Sequence, residues 1–289
     1  MPVFSILSLL ALSATGAVPI EFKDGDRIVW LGGALTEREQ RYGQWETALL
    51  MRFPDRNIIV RNLGWSGDTV FGDARAGFDT AAQGYQRLVS LTLELKPTVL
   101  FVSYGTNESF EGKAGVEKFQ KGLEKLLDSL KPTNARVVLF TPMPFEKGPG
   151  FPDPTKRNAD LALYARAIQN VADSRGHRFA DLYSSCIRHP GAFTDNGMHL
   201  TEAGFAATIP NFLTVLDQSW PGEDPKKFEA VRKIVANKNE LFFYRWRPQN
   251  ETYLFGFRKH EQGKNAKEIV EFDPLIAKAE VELRKELSK

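Results

Sequence analysis

The sequence predicts an α/β fold, a doubly wound parallel sheet flanked by helices, with a C-terminal extension. Two observations carry this prediction. Five short β-rich runs are mostly apolar on both faces, as strands buried in a parallel sheet are, and helical patterns lie between them. Strand and helix alternate at roughly 30–40 residues per unit, a spacing typical of βαβ units with right-handed crossovers. The predicted strands are Arg27–Leu31, Asn57–Arg61, Thr98–Ser103, Arg136–Phe140 and His177–Asp181.

The predicted helices have apolar residues every three to four positions, as on one buried face. This pattern covers Glu37–Arg52, Lys113–Leu130 and Asn158–Ala172. A further helix is predicted over Thr201–Gln218, bent by Pro210 because proline cannot donate a backbone N–H inside a helix. In sheets of this kind ligands bind at the carboxyl ends of the strands. A functional site is therefore expected among the residues that follow each strand.

Composition excludes several classes of protein. The 289 residues include 38 basic and 36 acidic side chains, and this near-balance argues against a dedicated nucleic-acid binder. Hydrophobic residues make up 42% and charged residues 26%, which excludes wholesale disorder. A single cysteine excludes an intrachain disulfide and a multi-cysteine zinc site, and none of the four histidines pairs at a helical metal-ligand spacing. The sequence predicts neither a metal nor a cofactor.

The N-terminus has the pattern of a signal peptide. Residues Val3–Ala14 form an apolar run that is too short to span a bilayer, which takes about 20 residues. The small residues Thr15 and Ala17 follow, as before a cleavage site. We expect cleavage after Ala17, export to the periplasm or medium, and no stable membrane insertion afterwards. The alternative is a buried first strand.

Four segments at the predicted strand ends carry residues suited to catalysis. They are Gly32–Glu37 after the first strand, Asn62–Asp68 after the second, Tyr104–Glu108 after the third, and Asp195–Leu200 near the end of the α/β part. A glycine N–H and an asparagine amide can both stabilise a developing oxyanion. A histidine beside a carboxylate or amide, as at His199, can take and return a proton near neutral pH.

In this order the four segments resemble the SGNH (GDSL-type) hydrolase family over about residues 26–218. The resemblance implies a flavodoxin-like sandwich and the hydrolysis of esters, often acetyl groups on carbohydrates. It implies that Gly67 and Asn107 are oxyanion donors and that His199 is the general base. Gly64 is a weaker match for the oxyanion glycine.

The chain departs from the family pattern at two positions. Ala34 stands where the family has its nucleophilic serine, although the backbone N–H of Ala34 could still serve as an oxyanion donor. A methyl group cannot attack a carbonyl, and removing a triad serine costs about 10⁶ in rate. Three residues before His199 stands Asn196 instead of aspartate, and Asp195 lies one residue further back. Either residue could orient the imidazole.

Two interpretations of the site follow. In the first, the protein hydrolyses esters with an atypical nucleophile, either Ser66 or a water activated by His199. In the second, it is a pseudoenzyme whose pocket binds a glycan or acyl ligand without turnover. Both predict a small-molecule or carbohydrate ester as ligand and no nucleic-acid partner. Structural alternatives also exist, because Ser66 and Asn107 suit turns, Gly67 suits a positive φ, and His199 suits packing beside Thr201.

The C-terminal part, residues 222–289, has a different composition. Tyr253, Phe255 and Phe257 alternate as on a strand, with basic residues interleaved. One interpretation is a ligand surface for sugar rings or an anion. The other is an arm that packs its aromatic rings onto the α/β domain. A closing helix is predicted over about Pro274–Leu287.

Overall fold

The computed structural model describes residues 19–187, 192–261 and 265–289. The predicted signal peptide, residues 1–17, lies outside the described residues. Across those three ranges, no helix combines the length and the apolar character that a membrane crossing requires.

The central sheet has five parallel strands, which are β1 (Arg27–Gly32), β2 (Ile59–Asn62), β3 (Val99–Ser103), β4 (Arg136–Phe140) and β5 (Arg178–Ala180). Their order in the sheet is β2-β1-β3-β4-β5. This confirms the predicted doubly wound parallel sheet. Successive connections run in opposite directions from the β1/β3 pair, so the topological switch point lies at the carboxyl ends of β1 and β3.

Helices cover both faces of the sheet. On one face Trp30 of β1 stacks on Phe212, which also stacks on Trp45, at ring-centroid distances of 5.6 and 4.8 Å. On the other face Leu100 and Leu139 belong to a core that includes the apolar stripes of two helices, α4 (Val116–Leu130) and α5 (Thr155–Arg175). The helices are α1 (Ala34–Tyr42), α2 (Gln44–Met51), α3 (Ala81–Glu94), α4 (Val116–Leu130), α5 (Thr155–Arg175), α6 (Leu182–Cys186), α7 (Glu202–Ala207), α8 (Ile209–Thr214), α9 (Pro225–Trp246), α10 (Glu251–Leu254) and α11 (Phe272–Leu287).

Two predicted helices are each broken in two. The helix predicted over Glu37–Arg52 begins earlier, at the first residue of α1, and breaks at Gly43, whose φ of 64° is left-handed. The helix predicted over Thr201–Gln218 breaks at Thr208, two residues before Pro210. The ring of Pro210 removes a helical N–H and favours the start of a new helix there.

The C-terminal part covers the exposed edge of the sheet. On α9, Lys238 Nζ donates to the backbone oxygen of Val60 in β2 at 3.2 Å. On α11, Glu280 pairs with Arg61 of the same strand at 2.6 Å. An uncovered edge strand is a template for pairing with other chains, so these two helices close the sheet on the β2 side.

The strand predicted from the alternation of Tyr253, Phe255 and Phe257 is wrong. The chain forms α10 and then turns, with the N–H groups of Phe255 and Gly256 both donating to the oxygen of Glu251. A strand needs a partner edge, and α9 and α11 already cover β2. Phe255 and Phe257 stay 53% and 75% exposed.

Candidate active site

A small pocket opens at the switch point between β1 and β3. Ala34 lines it from the turn after β1, residues 103–108 from the end of β3 and the turn that follows, and His199 from the loop before α7. Asp68 joins them from the segment after β2. All four segments that the sequence singled out therefore contribute to this pocket.

Ala34 is the first residue of α1, and its side chain is a methyl group. Gly33 precedes it as the N-cap without a side-chain capping bond. A Cβ at Gly33 would lie 3.5 Å from Asn107 Nδ2, so the turn after β1 runs close to this amide. The first N–H groups of a helix have no partner within the helix. The start of α1 therefore offers donors at the pocket.

Asn107 and Glu108 tie the turn after β3 to the segment after β2. Asn107 Nδ2 donates to the backbone oxygen of Asp68 at 2.8 Å. The Glu108 carboxylate accepts from the N–H groups of Val70 and Gly105, each at 2.9 Å. Burial raises the pKa of Glu108 to about 7. Sequence reasoning missed Glu108, because one acidic residue after a strand gives no sign of its burial.

Asp68 belongs to a buried polar cluster beside the pocket. Its Oδ2 accepts from Arg75 Nε at 2.7 Å and from the Tyr104 hydroxyl at 3.0 Å. Neither the Asp68 nor the Arg75 side chain has exposed surface. Burial raises the pKa of Asp68, and the Arg75 charge opposes this shift. The cluster was not predicted, since Arg75 lies in a short 3-10 turn between two predicted elements.

Ser66 is bound to a carboxylate on α1. Its N–H and its hydroxyl both donate to Glu37, each at 2.9 Å, and Arg247 donates to the same carboxylate at 2.6 Å. Gly67 follows on the exposed side of the loop. Gly64 packs against α1, where a Cβ would lie 2.3 Å from the nitrogen of Glu37.

Gly67 has a φ of 82°, which is a left-handed conformation that favours glycine. We expect Gly67→Ala to lower the free energy of unfolding by about 1–2 kcal/mol, because an alanine is strained in this backbone conformation. A steric clash does not contribute, since a Cβ at this position would have no atom within 4 Å. Gly67→Asn should cost less, since asparagine tolerates this conformation. Chemical denaturation of both variants checks this. Equal stability of Gly67→Ala and the native chain would contradict it.

The imidazole of His199 contacts Asn196. Its Nδ1 lies 3.1 Å from Asn196 Nδ2. Asp195 instead pairs with Arg38 at 2.9 Å. Burial lowers the pKa of His199, the Arg38 charge lowers it further, and Asp195 opposes this effect. The structure thus places Asn196, and not Asp195, at Nδ1 of the imidazole.

Residues 25–207 match the model of the GDSL-like lipase/acylhydrolase family. The chain belongs to this family. No curated protein matches the chain.

Three solved structures share the fold of this GDSL-like chain. The acetylxylan esterase Axe2 from Geobacillus stearothermophilus is 19% identical, with a TM-score of 0.55 over 71% of this chain and 100% of that chain. LAE5, an α/β hydrolase from the metagenome of Lake Arreo, is 21% identical, with a TM-score of 0.53 over 68% and 97%. A gut microbial diltiazem-metabolizing enzyme is 21% identical, with a TM-score of 0.52 over 70% and 49%.

Proposed function

We propose that this protein is a non-hydrolytic GDSL-like protein, a pseudoenzyme that binds an acyl ester of a carbohydrate without cleaving it. The observation that carries the proposal is the methyl side chain of Ala34. It stands at the start of α1 and lines the same pocket as His199, where the family pattern has its serine. Without a hydroxyl there, the pocket lacks the family's attacking group.

The alternative nucleophile Ser66 is occupied elsewhere. Its hydroxyl donates a hydrogen bond to Glu37, and Arg247 donates to the same carboxylate. Burial raises the pKa of Glu37, but hydrogen bonds from Ser66 and Arg247 and the charge of Arg247 lower it by more, so that the net pKa is below the usual value. Glu37 is therefore a weak base for activating the Ser66 hydroxyl. This arrangement favours a binding module over a hydrolase that uses Ser66.

The ligand class follows from the donors in the pocket and from the structural relatives. Asn107 Nδ2 and the first N–H groups of α1 suit the oxygen of an acyl group. Axe2, which has the same fold, is an acetylxylan esterase. We therefore propose an acetylated carbohydrate as ligand. We further propose that residues 1–17 are a signal peptide, that residues 26–218 form the hydrolase-like domain with residues 222–289 as an arm, and that the mature protein is exported.

Calorimetry with an acetylated xylo-oligosaccharide, together with assay of released acetate, tests this proposal. We expect the mature chain to bind the oligosaccharide saturably and to release no acetate above the protein-free rate. Asn107→Ala should weaken binding by about tenfold, the usual effect of losing one hydrogen-bond donor. Ser66→Ala is the matched control outside the pocket and should bind like the native chain.

Acetate release by the native chain that disappears in His199→Ala would contradict the proposal and assign hydrolysis. If acetate release were also lost in Ser66→Ala, Ser66 would be identified as the nucleophile. If release persisted in Ser66→Ala, the hydroxyls of Ser103 and Thr106, which also line the pocket, would be the next to replace.

A further inference from the structure

We infer that Asn196 holds His199 as a hydrogen-bond donor, with its proton on Nε2, and that the pocket thereby receives the carbonyl oxygen of an intact ester. The proton position stands on the geometry of Asn196 and His199. The identity of the ligand rests on the proposed function. Asn196 is a positioning residue in this account, because it acts through His199.

The orientation of the Asn196 amide is fixed by the backbone. Its Oδ1 accepts from the N–H of Met198 at 3.0 Å and from the N–H of His199 at 2.9 Å. The reversed amide would turn its NH₂ group towards these two donors and lose both hydrogen bonds. The nitrogen Nδ2 must therefore face the imidazole.

This orientation decides which ring nitrogen carries the proton. An amide nitrogen only donates hydrogen bonds. His199 Nδ1, at 3.1 Å from Asn196 Nδ2, must accept and so carries no proton. Neutral imidazole has one N–H, which is then on Nε2. A general base in a triad needs the opposite arrangement, with the proton on Nδ1 and a free lone pair on Nε2.

Protonation of His199 is disfavoured by the same contact. An imidazolium has hydrogens on both nitrogens, and the one on Nδ1 would point at the NH₂ group of Asn196. Burial and Arg38 also lower the pKa of His199. Near neutral pH the imidazole is therefore neutral and presents an N–H to the pocket.

Charge in the pocket favours a neutral acceptor over an anion. Asp68 and Glu108 both line it. The charge of Asp68 is balanced by Arg75. Burial already disfavours the negative charge of Glu108 and raises its pKa to about 7. A carboxylate ligand would add a negative charge beside these groups. The carbonyl oxygen of an ester accepts from His199 and Asn107 without that penalty.

NMR of the ¹⁵N-labelled mature chain tests the proton position. Long-range ¹H–¹⁵N spectra distinguish protonated from unprotonated ring nitrogens, and His199→Gln assigns the signals among the four histidines. We expect a protonated Nε2 and an unprotonated Nδ1. Asn196→Asp keeps an oxygen for the two backbone N–H groups and offers a second oxygen to Nδ1, so the proton should move to Nδ1. Asp195→Asn is the matched control and should leave the proton on Nε2.

A proton on Nδ1 in the native chain would overturn the inference. Binding of an acetylated xylo-oligosaccharide and of free acetate supplies the second readout. We expect the ester to bind at least about tenfold more tightly than acetate, and Asn196→Asp to weaken ester binding by about tenfold, because a lone pair replaces a donor. Equal binding of acetate would overturn the carbonyl assignment. Hydrolysis of the ester would instead refute the proposed function and leave the NMR result standing.

Discussion

The variant Ala34→Ser is expected to remain nearly inert towards acetyl esters, whereas Ala34→Ser combined with Asn196→Asp should hydrolyse them. The expected difference in kcat is about 10⁴-fold, the effect of replacing the orienting aspartate of a triad by asparagine. The reason is the proton on His199 Nε2, which prevents this nitrogen from accepting the serine proton. Steady-state kinetics with p-nitrophenyl acetate measures the difference.

The controls separate a restored triad from a general loosening of the site. Adding His199→Ala to the double variant should abolish the gained activity. Asn196→Asp alone should not hydrolyse the ester, because Ala34 still provides no hydroxyl. If Ala34→Ser alone matched the double variant, His199 Nε2 would already be free to act as a base, and the inferred role of Asn196 would be wrong.

The second large effect is expected at α9, the first helix of the C-terminal part. Lys238 pairs with Glu46 of α2, and both side chains are only 2% exposed. Asn239 Nδ2 donates to the other Glu46 oxygen at 2.8 Å. Lys238→Met leaves the buried carboxylate without its counter-charge, which should lower the free energy of unfolding by about 3–5 kcal/mol. Urea denaturation of the variant and the native chain measures this loss.

Two further variants show whether the loss of stability comes from the unpaired buried charge. Glu46→Gln combined with Lys238→Met removes both charges and should recover much of the loss. Lys121→Met breaks an exposed pair with Glu117 and should hardly move the unfolding midpoint. A loss no larger for Lys238→Met than for Lys121→Met would show that α9 is not part of the folded core.

The sequence predicted the sheet well because its strands are buried on both faces. Continuous apolar runs such as Thr98–Ser103 and Arg136–Phe140 leave few alternatives to a parallel sheet. The candidate site followed from the same pattern, since residues after parallel strands meet at one edge. Ala34 and His199 could therefore be placed near each other before the structure was known.

What the sequence could not predict depends on contacts between distant segments. The choice between Asn196 and Asp195 depends on Arg38 of α1, which binds Asp195 in the loop before α7. The buried Lys238 interrupts the apolar pattern of α9, and the sequence does not indicate its partner, since Glu46 lies 192 residues away. Both pairs join residues more than 150 positions apart in the chain, and no local periodicity indicates them.

A crystal structure of the native chain with an acetylated xylo-oligosaccharide would show whether the pocket holds an uncleaved ester. We expect an intact acetyl group in the pocket at the start of α1. Its carbonyl oxygen should lie within hydrogen-bond distance of His199 Nε2 and Asn107 Nδ2. A deacetylated product in that pocket would show that the protein hydrolyses the ester, and an acetyl group bound elsewhere on the chain would show that this pocket is not the binding site.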